Sequence, residues 1–221
     1  ENGLWRDLVA FTWNIRTMEG RDAIAAMIEA TLPTARPSHF ALEGEAELAE
    51  GGVDAWFTFE TAVARGIGHL RLRDGKGFTL LTTMTELKGH EEKQDATREA
   101  GIIHGARRDR VTWSEARRHE ADTLGHTVQP YVVIVGGGQG GIMLGARLRR
   151  LGVPTIIVEK NPRPGDSWRN RYRSLVLHDP VWYDHLPYIP FPAHWPVFTP
   201  KDQMGDWLEM YARVMELNYW G

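Results

Sequence analysis

Six residues, Gly136-Gly137-Gly138-Gln139-Gly140-Gly141, constrain this chain more than any others. They follow directly on an apolar, β-branched run, Tyr131 to Val135, and precede Leu144, Leu148 and Leu151, spaced as on one helix face. Gly152-Val153-Pro154 breaks that helix, and Thr155 to Val158 reads as a second buried strand. Strand, glycine turn, helix and strand in this order make a β-α-β unit with a parallel pair. The spacing is G-x-G-x-x-G. Gly136 allows a tight turn, Gly138 lets the backbone approach a pyrophosphate, and Gly141 allows close packing of helix on strand, while the helix N-terminus offers unpaired N–H groups. Glu159 closes the second strand 23 residues after Gly136, where an acid accepts from adenosine ribose hydroxyls. It favours the free 2′-hydroxyl of FAD or NAD over the 2′-phosphate of NADP, and the residues alone do not choose between those two.

The remaining composition narrows the function classes. A chain of 221 residues accommodates two ordinary modules. With 26 basic and 29 acidic residues the formal charge is −3, so no global basic field draws it to nucleic acid. The absence of cysteine removes disulfide staples, thiolate metal sites and the paired-cysteine redox centres of disulfide reductases. No apolar run approaches the length of a membrane span and Glu1 to Asp7 lack a signal-peptide pattern, which points to a cytoplasmic protein. Residues 1–129 carry 16 basic and 21 acidic side chains, and 130–221 carry 10 and 8. That shift, with the charged run Glu115 to Asp122 and a polar stretch ending at Pro130, places one domain at 1–118, a linker at 119–129 and a second domain at 130–221.

In the first half, Ile24, Met27, Ile28 and Leu32 mark one face of a helix expected to stop at Pro33. Trp56 to Val63 alternates, with Phe57, Phe59, Thr61 and Val63 on one side, and His69 to Arg73 places Leu70 and Leu72 between charged neighbours. Asp74-Gly75-Lys76-Gly77 is a turn, and Phe78 to Leu87 returns antiparallel. The expectation is an antiparallel sheet with a helix on it, an α+β layer. Near the far end, Thr199-Pro200-Lys201-Asp202 reads as a helix start with a capping threonine, followed by an apolar face of Met204, Trp207, Leu208, Tyr211, Ala212 and Met215.

Several ordered motifs carry a resemblance. The glycine run, Gly165-Asp166-Ser167-Trp168-Arg169-Asn170-Arg171-Tyr172, Leu175 to Pro180, Pro187 to Pro192 and Phe198 to Asp202 together resemble the N-terminal FAD-binding part of the flavin-containing monooxygenases, YUCCA-type branch, over about residues 130–221. The resemblance implies a partial α/β Rossmann-type (β-α-β) FAD-binding domain. Gly136, Gly138, Gln139, Gly140 and Gly141 would cradle the pyrophosphate, Glu159 would bind the ribose, Ser167, Trp168 and Arg169 would lie along the flavin side, and Lys160 is counted with them among the cofactor-binding residues. It implies FAD and NADPH as cofactors and oxygenation, through a flavin peroxide, of a small nitrogen-, sulfur- or carbonyl-containing substrate. Leu4 to Leu8, Thr12-Trp13-Asn14, Thr17 to Arg21 and Leu80 to Gly89 are similar to a nuclear-transport-factor-2-like domain, which implies a cone-like α+β fold, truncated at its start, ahead of the FAD part. A second glycine motif for NADPH is not found after Glu159, so the FAD part is expected to be truncated at its end.

No side chain stands out as a nucleophile or general base, and no catalytic residue or metal ligand is assigned. Arg169, Arg171 and Arg173 form either a phosphate-binding cluster or a solvated face. His178, Asp179, Asp184 and His185 match no compact ligand spacing, and His178 is expected near the flavin. Trp182, Tyr183, Tyr188, Phe191, Trp195 and Phe198 are read as core before cavity. His69, Arg71, Glu60 and Glu86, and the clusters around His90 and His119, are read as solvent faces. The expected partners are a small-molecule substrate and, through the N-terminal domain, a second copy of the chain. Two other functions stay open: a different FAD- or NAD-dependent oxidoreductase, and a catalytically incomplete ligand-binding fragment.

Overall fold

The computed structural model describes residues 2–49, 51–101 and 104–221. They divide into two compact units at Glu91 and Glu92.

The first unit is a seven-stranded sheet with one helix. Its elements are β1 (Leu4–Leu8), β2 (Ile15–Glu19), α1 (Gly20–Ala35), β3 (Ser38–Leu42), β4 (Glu47–Ala49), β5 (Gly52–Glu60), β6 (Ala64–Arg73) and β7 (Lys76–Leu87). The strand order is β2-β1-β7-β6-β5-β3, with β4 also on β5. Asp74 and Gly75, at φ 49° and 69°, form the two-residue hairpin between Arg73 and Lys76, the left-handed pair that such a turn requires. Alternation works on β5 as far as Phe59: Phe57 and Phe59 join Trp5, Met18, Leu80 and Met84 on the face covered by Ile24, Met27 and Ile28 of α1. Thr61 and Val63, expected on the same face, lie beyond the strand's end at Glu60, with Val63 50% exposed. This is the expected α+β fold, with three differences. The sheet is mixed, because β1 pairs parallel with β7 after a crossover long enough to permit it. Pro33 lies inside α1, which ends only at Ala35, since a proline this close to the end removes little of the helical ladder. Leu32 is 46% exposed, past the edge of the sheet face.

A buried acid, unmarked in the sequence reading, ties this unit together. The Asp7 carboxylate is fully buried and accepts from the Phe11 and Thr12 N–H groups and from the hydroxyls of Thr12 and Thr82. Thr82 in turn accepts from Trp5 Nε1 at 2.9 Å. The network fixes the loop after β1 and the parallel join of β1 to β7.

The second unit contains α2 (Trp113–Thr123), β8 (Val132–Val135), α3 (Gln139–Arg150), β9 (Thr155–Val158), α4 (Asp166–Arg169), α5 (Lys201–Val214) and β10 (Tyr219–Trp220). Its sheet is parallel, in the order β10-β9-β8, the β-α-β arrangement that the glycine motif implied. Residues 119–129, expected as a linker, lie inside this unit. Thr112 and Glu115 cap α2 reciprocally, and Glu120 accepts from Arg149 and from Asn218 Nδ2.

Two local expectations change. The buried face of α3 is Ile142, Gly145 and Ala146, while Leu144 and Leu151 are half-exposed. A Cβ at Gly145 would press on Ile157, so the helix turns its small residues to the strand and lies closer to it. Thr199 does not cap α5: it is fully buried and donates to the Pro196 carbonyl at 3.3 Å, and Pro200, extended at ψ 148°, is the cap residue instead. The apolar face of α5 does form, with Met204, Leu208, Tyr211 and Ala212 buried against Ile142, Ala146, Leu177 and Leu186.

Candidate cofactor site

The site is built where β8 ends. Gly136 turns the chain at φ 107° while its N–H donates to the Val158 carbonyl, which keeps the turn tied to the neighbouring strand. A Cβ at Gly141 would overlap the Gly136 carbonyl oxygen, so helix and turn touch through glycine alone. Gly138 is the N-cap of α3, and helix geometry leaves the N–H groups of Gln139, Gly140 and Gly141 without intrahelical acceptors. Cβ positions at Gly136 and Gly140 meet open space, and at Gly138 the nearest atom is Ser167 Oγ at 3.8 Å.

Ser167 Oγ is buried and has no hydrogen-bond partner among the described residues. A buried hydroxyl without a partner is costly and marks a place where a polar group is expected to arrive. Beside it, Trp168 Nε1 donates to Gln139 Oε1 at 3.0 Å, joining the first turn of α3 to α4. Gly165 holds α4 here at φ 87°, and a Cβ on it would overlap the Gly205 backbone, so α4 and α5 meet through glycine.

Glu159 lies at the other side of the loop. Its Oε2 accepts from the Gly137 N–H at 2.6 Å, and its Oε1 accepts from Asn161 N at 3.0 Å and Asn161 Nδ2 at 2.6 Å. Burial pushes this carboxyl up, and the hydrogen bonds from Gly137 and Asn161 outweigh that and hold it below its ordinary value. One lone pair of Oε2 stays available for a hydroxyl donor.

Arg169 stands apart from this group. Nε donates to Asp206, Nη1 to the Pro164 carbonyl and Asp166, and Nη2 to Asp206 and Glu209. All five of its N–H groups are thereby used, and the guanidinium acts as a clamp between α4 and α5. Lys160, Arg171 and Arg173 are exposed, as are His178 and Asp179. Among the described residues no group of three or more His, Cys, Asp or Glu is placed to hold a metal ion. The aromatic segment splits: Phe191, Trp195 and Trp207 pack on one another at 5.0–5.3 Å, while Trp182 and Tyr183 are largely exposed. In the first unit Arg65 gathers Glu60, Glu86 and Glu91, Arg71 pairs with Asp54, and the His69 ring lies tilted against Trp56 at 4.5 Å, so these polar strand residues are engaged in pairs along the sheet.

Residues 129–179, which contain the glycine loop, Glu159 and Ser167, match the family model described as FAD binding domain. Over 84 residues the chain is 39% identical to indole-3-pyruvate monooxygenase YUCCA1 of Oryza sativa subsp. japonica, a match covering 38% of this chain and 21% of that protein. Over this stretch the chain resembles the FAD-binding part of YUCCA-type flavin monooxygenases. A flavin-containing monooxygenase from Stenotrophomonas maltophilia is 31% identical at a TM-score of 0.38, over 40% of this chain and 27% of that one. An NTF2-like protein from Burkholderia pseudomallei is 16% identical at a TM-score of 0.28, over 38% of this chain and 70% of that one. The chain spans a quarter or less of the curated relatives it matches. Among the described residues no helix is long and apolar enough to cross a membrane.

Three features of the site have no counterpart in the sequence expectations. Asn161 orients Glu159, Asp166 anchors Arg169, and the Tyr219 ring occupies the space where a Cβ of Gly137 would stand. Asn161 is two residues from the acid and could have been suspected, whereas Tyr219 is separated from the loop by 82 residues.

Proposed function

We propose that the second unit binds FAD and belongs to an FAD- and NADPH-dependent monooxygenase acting on a small nitrogen-, sulfur- or carbonyl-containing substrate. The observation that carries the FAD site is the buried, unpartnered Ser167 hydroxyl facing the open side of Gly138 at the start of α3. A diphosphate fits there: it would accept from the N–H groups of Gln139, Gly140 and Gly141, meet the helix dipole and satisfy Ser167. Glu159 would accept one ribose hydroxyl on its remaining lone pair and, being ionised, would repel a 2′-phosphate, which favours FAD over NADPH at this site. Gln139 and Trp168, bonded to each other, would close the loop side of the cofactor. Arg169 would act by holding α4 in place, with no donor left for the cofactor. FAD, when bound, supplies the redox and oxygen chemistry. The chain's own contribution is to orient it and keep its diphosphate out of water. NADPH as reductant rests on the family alone.

The test is an absorbance and fluorescence titration of the purified chain with FAD, with NAD as competitor and Gly138→Val as control. Saturable FAD binding, weakly displaced by NAD and abolished by the substitution, is the expected result. Unchanged binding by Gly138→Val would place the cofactor elsewhere.

A further inference from the structure

Position 137 is one of the unspecified positions of the G-x-G-x-x-G pattern, yet here it is glycine and has no room to be anything else. A Cβ at Gly137 would overlap the ring and hydroxyl of Tyr219, whose hydroxyl reaches the Gly137 carbonyl oxygen at 3.4 Å. Tyr219 is on β10, paired with Ile157 of β9, and its ring packs against the core that contains Ile142 and Tyr211. The next residue, Trp220, accepts from the Glu159 N–H at 2.8 Å. The short strand β10 therefore holds both halves of the adenosine side of the site: Tyr219 supports the glycine loop from below, and Trp220 fixes the backbone of the acid. Glu159 and Gly137 are in turn joined by the 2.6 Å hydrogen bond between them. Burial, together with the charges of Glu159 and Asp166, pushes the Tyr219 phenol up to about 12, which keeps it neutral and a donor at any working pH.

We propose that Tyr219 is a positioning residue of the dinucleotide site, matched in volume to Gly137, and that this pair sets the height of the glycine loop at which its N–H groups meet the diphosphate. The inference rests on the FAD reading above. It deepens that reading by adding a residue that touches no cofactor atom and acts through the loop.

The experiment is a double-substitution cycle on the 221-residue chain, read by FAD titration, with circular dichroism confirming that each variant is folded. Tyr219→Phe keeps the ring and should bind FAD within about twofold of the original chain, since a 3.4 Å contact contributes little. Gly137→Ala, forced against the ring, and Tyr219→Ala, which removes the support, should each weaken binding about tenfold. Combined, they should bind no worse than Tyr219→Ala alone, because the cavity left by the ring accepts the new methyl group. Should Tyr219→Ala fail to fold, Tyr219→Val takes its place in the cycle. Loss by the full product of the two single effects, or Tyr219→Ala binding like the original chain, overturns the pairing. An original chain that binds no FAD overturns the FAD reading itself, a result distinct from either.

Discussion

Gly138 and Gly141 lie three residues apart, at the N-cap and in the first turn of α3, and the structure gives them different reasons to be glycine. At Gly141 the constraint is internal, since a Cβ would meet the Gly136 carbonyl oxygen, whereas at Gly138 the nearest atom is 3.8 Å away and the space is free. Gly141→Ala should therefore destabilise the second unit by roughly 1–3 kcal/mol and weaken FAD binding with it. Gly138→Ala should leave the melting temperature nearly unchanged and weaken FAD binding alone. Thermal unfolding and FAD titration of the two variants separate these outcomes, and equal loss of stability in both would remove the distinction. In the first unit the residue of greatest consequence is Asp7. Asp7→Asn keeps the shape but replaces one acceptor oxygen with an NH2 donor, which then faces the N–H groups of Phe11 and Thr12 or the hydroxyl of Thr82. A loss of about 2–3 kcal/mol in urea unfolding is expected, and a loss below roughly 0.5 kcal/mol would show that the network relaxes around the amide.

At the scale of elements, what could be read from the sequence is what neighbouring residues decide. The glycine turn after β8, the Asp74-Gly75 hairpin and the apolar faces of β5 and α5 all follow from residues within a few positions of one another. What escaped is what distant residues decide. Asp7 is explained by Thr82, 75 residues away, and Glu120 by Asn218, 98 residues away. Arg169 had the residue type of a phosphate ligand, but its donors are taken by acids 37 and 40 positions later on α5. The leucines at 144, 148 and 151 carried the stronger apolar signal, but the close approach permitted by Gly145 puts Ile142 and Ala146 against the sheet and leaves Leu144 and Leu151 half-exposed. Glu120 makes α2 part of the second unit, and this has a pH signature. Burial pushes its carboxyl up, the hydrogen bonds from Arg149 and Asn218 pull it further down, and the net position is below the ordinary value of 4.5. A depressed folded value contributes stability above the unfolded pKa, and that contribution is lost as pH falls through the folded one. The melting temperature of the second unit should thus hold steady above about pH 5 and decline below the ordinary carboxylate range. Glu120→Gln should lower the plateau, by roughly 1–3 kcal/mol, and reduce that decline. An acid profile identical in the two proteins would mean that other carboxylates carry it.

For the whole molecule, each unit closes a core of its own: Trp5, Phe11, Met18, Met27 and Phe59 in the first, Ile142, Leu177, Met204, Leu208 and Tyr211 in the second. Every residue assigned to the cofactor lies in the second, from Gly136 to Tyr219, and both α5 and β10 are needed to complete its core and its loop support. Ligand binding stabilises only the structure that holds the ligand, by about 2.7 kcal/mol when its free concentration is a hundred times the dissociation constant. FAD should therefore raise the temperature at which the second core melts, and calorimetry with and without FAD measures it. Tryptophan emission offers an assignment, because Trp168, Trp182, Trp195, Trp207 and Trp220 all report on the second unit while Trp5, Trp13 and Trp56 report on the first. Replacing the three early tryptophans with phenylalanine leaves a signal from the second unit and from Trp113, which begins α2 of that same unit. In that protein the emission transition should move with FAD by the full calorimetric shift. An FAD-induced shift seen by calorimetry but absent from this emission would place the cofactor outside the second unit and overturn the site.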